Sequence, residues 1–373
     1  MNTYEAAIKH AVARDATWMG RLLADSQNPA YAPCASTVWM CIEPYSSLIV
    51  HESRNKLKDG DPALAAMVTG EFDDVVTRGR HSLKLFEDTG ARSGYRGIDG
   101  QIACFRDEII PAYRKRFIDP VPRLFRSFAK DLGLFTYDGK IIATNHAITF
   151  HFGLGADGLL AKTGPDIAAL SVLYGSYYRH LGATVPAAGA TFLSRLEPTL
   201  MRTGPDKRAM RYYPSVFDGP SNVDLNVLLT VFQAMANFAA YTVTDTDASG
   251  VLDYTEFKIR YIAAYQVLSS LRALREDRAH ILTTRSQAHL TAIVQGAEVA
   301  ALLDPATKPF RNTLMHYGID SRVPEASIDL ADPLFALAPR YFPACTNSAD
   351  LAKLVDTALT QTATELNAWS ELV

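Results

Sequence analysis

A chain of 373 residues, 48% apolar and 21% charged, has room for two or three domains with large cores and the composition of an ordinary globular protein. Its net charge of −3 excludes wholesale nucleic-acid coating, so any RNA contact must be local. Cys34, Cys41, Cys104 and Cys345 form no CxxC pair and no zinc-ligand spacing, and are expected to be reduced thiols.

The first 23 residues are amphipathic and contain acids, so they read as a helix and not as a targeting segment. No run approaches the ~18 apolar residues of a membrane span. A cytoplasmic chain with no membrane partner is expected. Residues 1–130 are mostly helical in pattern, with helical spacings from Pro62 to Leu85 and from Ile98 to Phe117. Between them Thr89 to Gly97 is glycine-rich and carries Arg92 and Arg96. Its backbone N–H groups suit a phosphate, but no Lys-Ser/Thr follows and no strand precedes, which favours a flexible connector.

Leu134 to Ile142 reads as a β-hairpin, because Asp138-Gly139 supplies the positive φ angles of a tight turn. Ala147 to Phe152 continues in strand-like alternation. His146 and His151 would then lie on opposite strand faces, poorly placed to share a metal. From Asp166 to Leu181 a helix carries Tyr174, Tyr177 and Tyr178, expected in the core with hydroxyls at its rim, and stops at Gly182. Gly204 to Asn222 reads as a linker. Helices follow at Asp224–Tyr241, Tyr254–Arg275, His280–Leu303, around Arg311, and Ala349–Leu372, the last with an apolar face from Leu351 to Leu372. The expected fold is mainly α, helical bundles with a small β-hairpin insertion. It divides into residues 1–130, 131–221 and 222–373.

Arg311-Asn312-Thr313-Leu314-Met315-His316 follows two Xaa-Pro pairs, at 304–305 and 308–309, that favour a new helix start. A cation in the first helical turn is opposed by the macrodipole, so helix propensity does not explain Arg311. This six-residue pattern resembles that of the HEPN superfamily, helical bundles whose ribonuclease members carry Arg, a polar residue, three variable residues and His. The resemblance covers residues 222–373. It implies a homodimer in which two motif helices meet and form a metal-independent RNA-cleaving site. Arg311 would hold the scissile phosphate, Asn312 would orient, and His316 would transfer the proton, as imidazole chemistry near neutral pH allows. The same bundle used for binding alone would make the protein a non-catalytic scaffold.

A second pattern runs from Asp245 to Glu256 and fits an EF-hand calcium loop. Asp245, Asp247, Ser249 and Asp253 place side-chain oxygens at the first, third, fifth and ninth positions. Gly250 permits the turn, Val251 offers its carbonyl, and Glu256 stands at the bidentate twelfth position. No second loop accompanies it. If bound, Ca2+ would be structural, stapling two helices. The alternative is a polar connector in which Asp253 and Glu256 cap the next helix. No Gly-x-Ser-x-Gly elbow is present, and His280 and His289 are nine apart on a helix and do not form a metal pair. A haem with one axial histidine would leave no spacing signature.

Overall fold

A computed structural model describes residues 2–84, 97–152, 155–162, 164–183, 190–245 and 251–371. The glycine-rich segment 89–96 and calcium-loop positions Asp247, Ser249 and Gly250 lie outside them. The chain is mainly α, with one small antiparallel sheet among the described residues. The N-terminal half holds α1 (Thr3–Gln27), α2 (Ala32–Leu57), α3 (Pro62–Met67), α4 (Gly70–Ser82), α5 (Gly97–Ala103) and α6 (Ile110–Phe117). Strands β1 (Leu134–Tyr137) and β2 (Lys140–Thr144) are followed by α7 (Asn145–Phe152), α8 (Ala156–Ala161) and α9 (Gly164–His180). Then come β3 (Met201–Thr203), α10 (Ala209–Tyr212), α11 (Val223–Tyr241), α12 (Tyr254–Arg278), α13 (Thr284–Val294) and α14 (Ala297–Leu302). The motif helix α15 (Lys308–His316), α16 (Ala338–Tyr341) and α17 (Ser348–Ser370) complete the chain.

The expected hairpin is present, with Asp138 and Gly139 both at positive φ. It is not isolated. Met201–Thr203 adds to β1 and gives the order β2-β1-β3. The continuation to Phe152 is a helix, correcting the strand expectation. The Thr144 hydroxyl accepts from the Ala147 N–H at 3.0 Å and starts α7. Alternation misleads there because α7 is buried on most sides, so its polar–apolar period carries no information about secondary structure. The helix expected over His280–Leu303 breaks at Thr283, whose hydroxyl caps Ser286, and again at Gln295-Gly296.

At the centre α11, buried along nearly its whole length, packs against β2, α12 and α17. With the turn before it (Gly219–Tyr241) it is long and apolar enough to cross a membrane, but most of it lies inside the fold. The segment 204–222 does not hang free: Tyr213 and Phe217 are buried, and Asn226 Nδ2 donates to the carbonyls of Tyr213 and Gly219. Side chains also cross the expected boundary at residue 221. Trp18 of α1 donates to Glu256, and Lys258 of α12 pairs with Asp15. The three expected regions share one continuous apolar core.

The tyrosines of α9 sit deeper than expected. Tyr174, Tyr177 and Tyr178 bond Ser47, Ser53 and Ser46 of α2 at 2.7–2.9 Å, inside the protein. Helix α4 also crosses α2 closely. A Cβ on Gly79 would fall 2.7 Å from Ser47 Oγ and 3.0 Å from Glu43 Oε1. This approach brings the next residue, Arg80, to Glu52.

Candidate functional site

Helix α15 starts as its prolines indicate and stops at Tyr317, which takes a left-handed φ of 56°. That conformation costs free energy in a non-glycine residue. It is held by the Tyr317 hydroxyl donating to Asp15 Oδ2 at 2.5 Å and by Lys258 Nζ, 4.2 Å from the ring centroid. Asp15 and Lys258 are themselves a fully buried ion pair, 2.7 Å apart, with Thr255 Oγ1 on the second carboxylate oxygen. The end of the motif helix is therefore fixed from below by charge and hydrogen bonds.

The motif residues do not converge. Arg311 is only 8% exposed, its guanidinium 4.8 Å from the Tyr265 ring centroid and 3.5 Å from Met315 Sδ. Asn312 is half-buried. Five residues along a helix is about 140° of rotation, and His316 accordingly faces α2, where its Nδ1 lies 2.9 Å from Glu52 Oε2.

Glu52 organises the site. Its Oε1 accepts from Arg80 Nε at 2.9 Å and Nη2 at 2.7 Å, and lies 3.2 Å from His51 Nδ1. Burial acts to raise the Glu52 pKa, but the bonds from His316 and His51 and the Arg80 charge outweigh it and hold the carboxyl below the usual range. Glu52 and Arg80 are buried, whereas His316 and His51 keep 35% and 23% of their side chains exposed. His81 stands beside them, its ring centroid 6.5 Å from that of His51. Burial, together with the charges of Arg80 and Lys84, lowers its pKa to about 4, so it is neutral at physiological pH. Lys56 lies over Gly318, its Nζ 3.4 Å from where a Cβ would project.

Two half-buried imidazoles thus reach one fixed carboxylate, with the exposed Lys56 four residues further along α2. With Nδ1 bonded to Glu52, His316 has Nε2 left to exchange a proton with a solute. His51 Nδ1 also lies 3.3 Å from Asn55 Nδ2, so it can donate to Glu52 when protonated and accept from Asn55 when neutral. Of these residues only His316 stands out in the sequence. The other signals were the adjacent pairs His51-Glu52 and Arg80-His81, which have no distinguishing spacing until α2, α4 and α15 are brought together.

The calcium-loop candidates face elsewhere. Glu256 Oε1 accepts from Trp18 Nε1 at 3.1 Å and the Phe192 N–H at 2.7 Å, while Oε2 meets Arg195 at 2.5 Å. Asp253 Oδ1 caps α12 through the N–H groups of Thr255 and Glu256, and its Oδ2 pairs with Arg21 at 2.6 Å. Asp245 Oδ2 lies 2.9 Å from Arg260 Nη1. Val251 is exposed. The carboxylates of Asp245, Asp253 and Glu256 each pair with a protein cation, Arg260, Arg21 and Arg195 respectively. Among the described residues no three His, Cys, Asp or Glu side chains are arranged to hold a metal ion.

His146 and His151 are structural. His146 is buried between Tyr213 Oη at 2.9 Å and the Asp131 carbonyl at 3.1 Å, and His151 Nδ1 is 2.9 Å from Ser82 Oγ. Comparison with family models, with curated proteins and with solved structures returns no match for this chain.

Proposed function

We propose that the protein is a metal-independent endoribonuclease working through His316 and His51 on either side of Glu52. The observation that carries this reading is the 2.9 Å contact from His316 Nδ1 to the buried Glu52 carboxylate, which also pairs with Arg80. Such a contact orients the ring and supports the charge it gains as a base. His316 Nε2 takes the proton of a ribose 2′-hydroxyl, whose oxygen attacks the adjacent phosphorus. The bond from phosphorus to the 5′-oxygen breaks, and protonated His51 supplies the proton that the leaving oxygen needs. The products are a 2′,3′-cyclic phosphate and a 5′-hydroxyl. Lys56, exposed on α2 beside Gly318, supplies a cation that attracts the phosphate. Arg311, buried on Tyr265, positions α15 and does not hold the phosphate.

This keeps the chemistry implied by the HEPN resemblance but moves the second catalytic group from α15 to α2. A homodimer pairing two α15 helices remains part of the proposal, with each copy contributing one Glu52 cluster. The test is incubation of mixed RNA in EDTA followed by end analysis. Cyclic-phosphate termini with a bell-shaped pH profile support the reading, and intact RNA under all conditions overturns it. Burial of Arg311 favours one rival reading, that α15 is a packing element of a non-catalytic scaffold. In that case His316→Ala changes stability alone.

A further inference from the structure

Residues 114–130, between α6 and the sheet, hold six Lys and Arg against one acid, Asp119, in a chain of net charge −3. The segment is ordered by its own backbone. Successive i to i+3 bonds run from Phe125 to Pro122, Phe128 to Phe125 and Ala129 to Arg126, and Arg126 donates to the carbonyls of Asp119 and Val121. These tight turns project large apolar side chains into solvent: Leu124 is 88% exposed, Phe128 76% and Phe125 61%. Arg208 donates to the Arg126 carbonyl, placing the next turn alongside, where Met210 is also exposed. Lys115, Arg116, Arg123 and Lys130 are exposed along this segment, as is Arg114, whose Nε lies 3.5 Å from Asp119 Oδ1.

We infer that this tip docks on an anionic lipid surface, Leu124, Phe125 and Phe128 entering the headgroup boundary while the surrounding cations meet lipid phosphates. An apolar wedge ringed by basic residues is the pattern of interfacial membrane binding. An adjacent apolar patch of this kind also marks an interaction site, beyond scattered surface hydrophobes. The aliphatic character of the most exposed residue decides between partners. Leu124 and Met210 have no π-face on which a nucleobase can stack, so single-stranded RNA would leave both unsatisfied. Peripheral docking by a loop departs from the expectation of no membrane partner, is independent of the nuclease reading and requires no spanning helix.

The experiment is co-sedimentation of the full chain with phosphatidylcholine vesicles and with vesicles also containing phosphatidylglycerol, at low and raised salt. Binding is expected only to the anionic vesicles and is expected to weaken with salt. The variant Leu124→Ser/Phe125→Ser/Phe128→Ser should lose at least about tenfold in partitioning, and Arg114→Ser/Lys115→Ser should lose about fivefold for each cation removed. All five side chains are exposed, so unchanged melting curves will show that the variants fold. His316→Ala should bind vesicles like wild type. No sedimentation with either vesicle, equal binding to both, binding unaffected by the triple variant, or a tip that instead binds RNA or a second copy of the chain would overturn the proposal.

Discussion

His316 and Glu52 stand 264 residues apart in the chain and 2.9 Å apart in the fold, tying the end of α15 to the C-terminal turns of α2. The pair is asymmetric, since Glu52 is buried with Arg80 whereas His316 reaches solvent. Glu52→Ala would leave the Arg80 guanidinium buried without its carboxylate, and should cost roughly 3–5 kcal/mol. His316→Ala removes a partly exposed partner and should cost about 1 kcal/mol or less. Urea unfolding of both variants measures the difference. Equal costs would mean that the carboxylate is not the hub.

Arg311→Ala should destabilise by about 2 kcal/mol, through loss of its stacking on Tyr265 and of buried methylene packing. Tyr265→Leu should remove most of that sensitivity in a double-mutant cycle. Additive costs would show that the ring and the guanidinium do not interact.

Gly79→Ala should destabilise by ~1–3 kcal/mol, because the new methyl would meet Ser47 Oγ and Glu43 Oε1 where α4 crosses α2. An unchanged melting temperature for Gly79→Ala would rule out the tight crossing.

Glu43 gives a pH dependence with a definite sign. Burial raises its carboxyl pKa to about 7 against the opposing bonds from Ser47 and Tyr174, and Oε2 has no hydrogen-bond partner. A carboxyl whose folded pKa is raised contributes stability that is complete below the unfolded pKa and is lost as pH rises through the folded one. Relative to Glu43→Gln, wild type should therefore lose roughly 1–3 kcal/mol between about pH 5 and pH 8. Denaturant midpoints at the two pH values measure it. A parallel response of the two proteins would contradict the assignment.

Calcium should leave the melting temperature of the full chain unchanged, and Glu256→Gln should lower it equally with and without calcium. The reason is that Arg195, Trp18 and the Phe192 N–H already occupy both Glu256 oxygens. A calcium-dependent rise in wild type that Glu256→Gln abolishes would mean that this carboxylate turns to bind the ion.

Much of the fold is legible in local pattern. The long helices announce themselves by period, the hairpin by Asp138-Gly139, and the start of α15 by its prolines. Asp253 as a helix cap was one of two readings of the 245–256 loop, and its bonds to Thr255 and Glu256 are those of a cap. What misleads is burial on most sides. Helix α7 alternates like a strand because no face of it needs to be polar. The residues 204–222 look like a linker because their elements are short, α10 and the single turns Tyr213–Ser215 and Gly219–Asn222, tied down by Asn226 and by Asp131, which accepts from the Ala209 N–H. The candidate site was half visible. His316 stood out by its spacing from Arg311, yet that same spacing turns the two residues apart, and its partner Glu52 lies on a helix in the other half of the chain.

Cleavage of a defined RNA in EDTA by wild type, His316→Ala, His51→Ala and Arg311→Lys separates catalysis at Glu52 from catalysis along α15. The expected result is cyclic-phosphate product from wild type and Arg311→Lys at similar rates, with at least about 100-fold loss in each histidine variant. Loss in Arg311→Lys as deep as in His316→Ala, or cleavage unchanged in all variants, would contradict a site built from His51, Glu52 and His316.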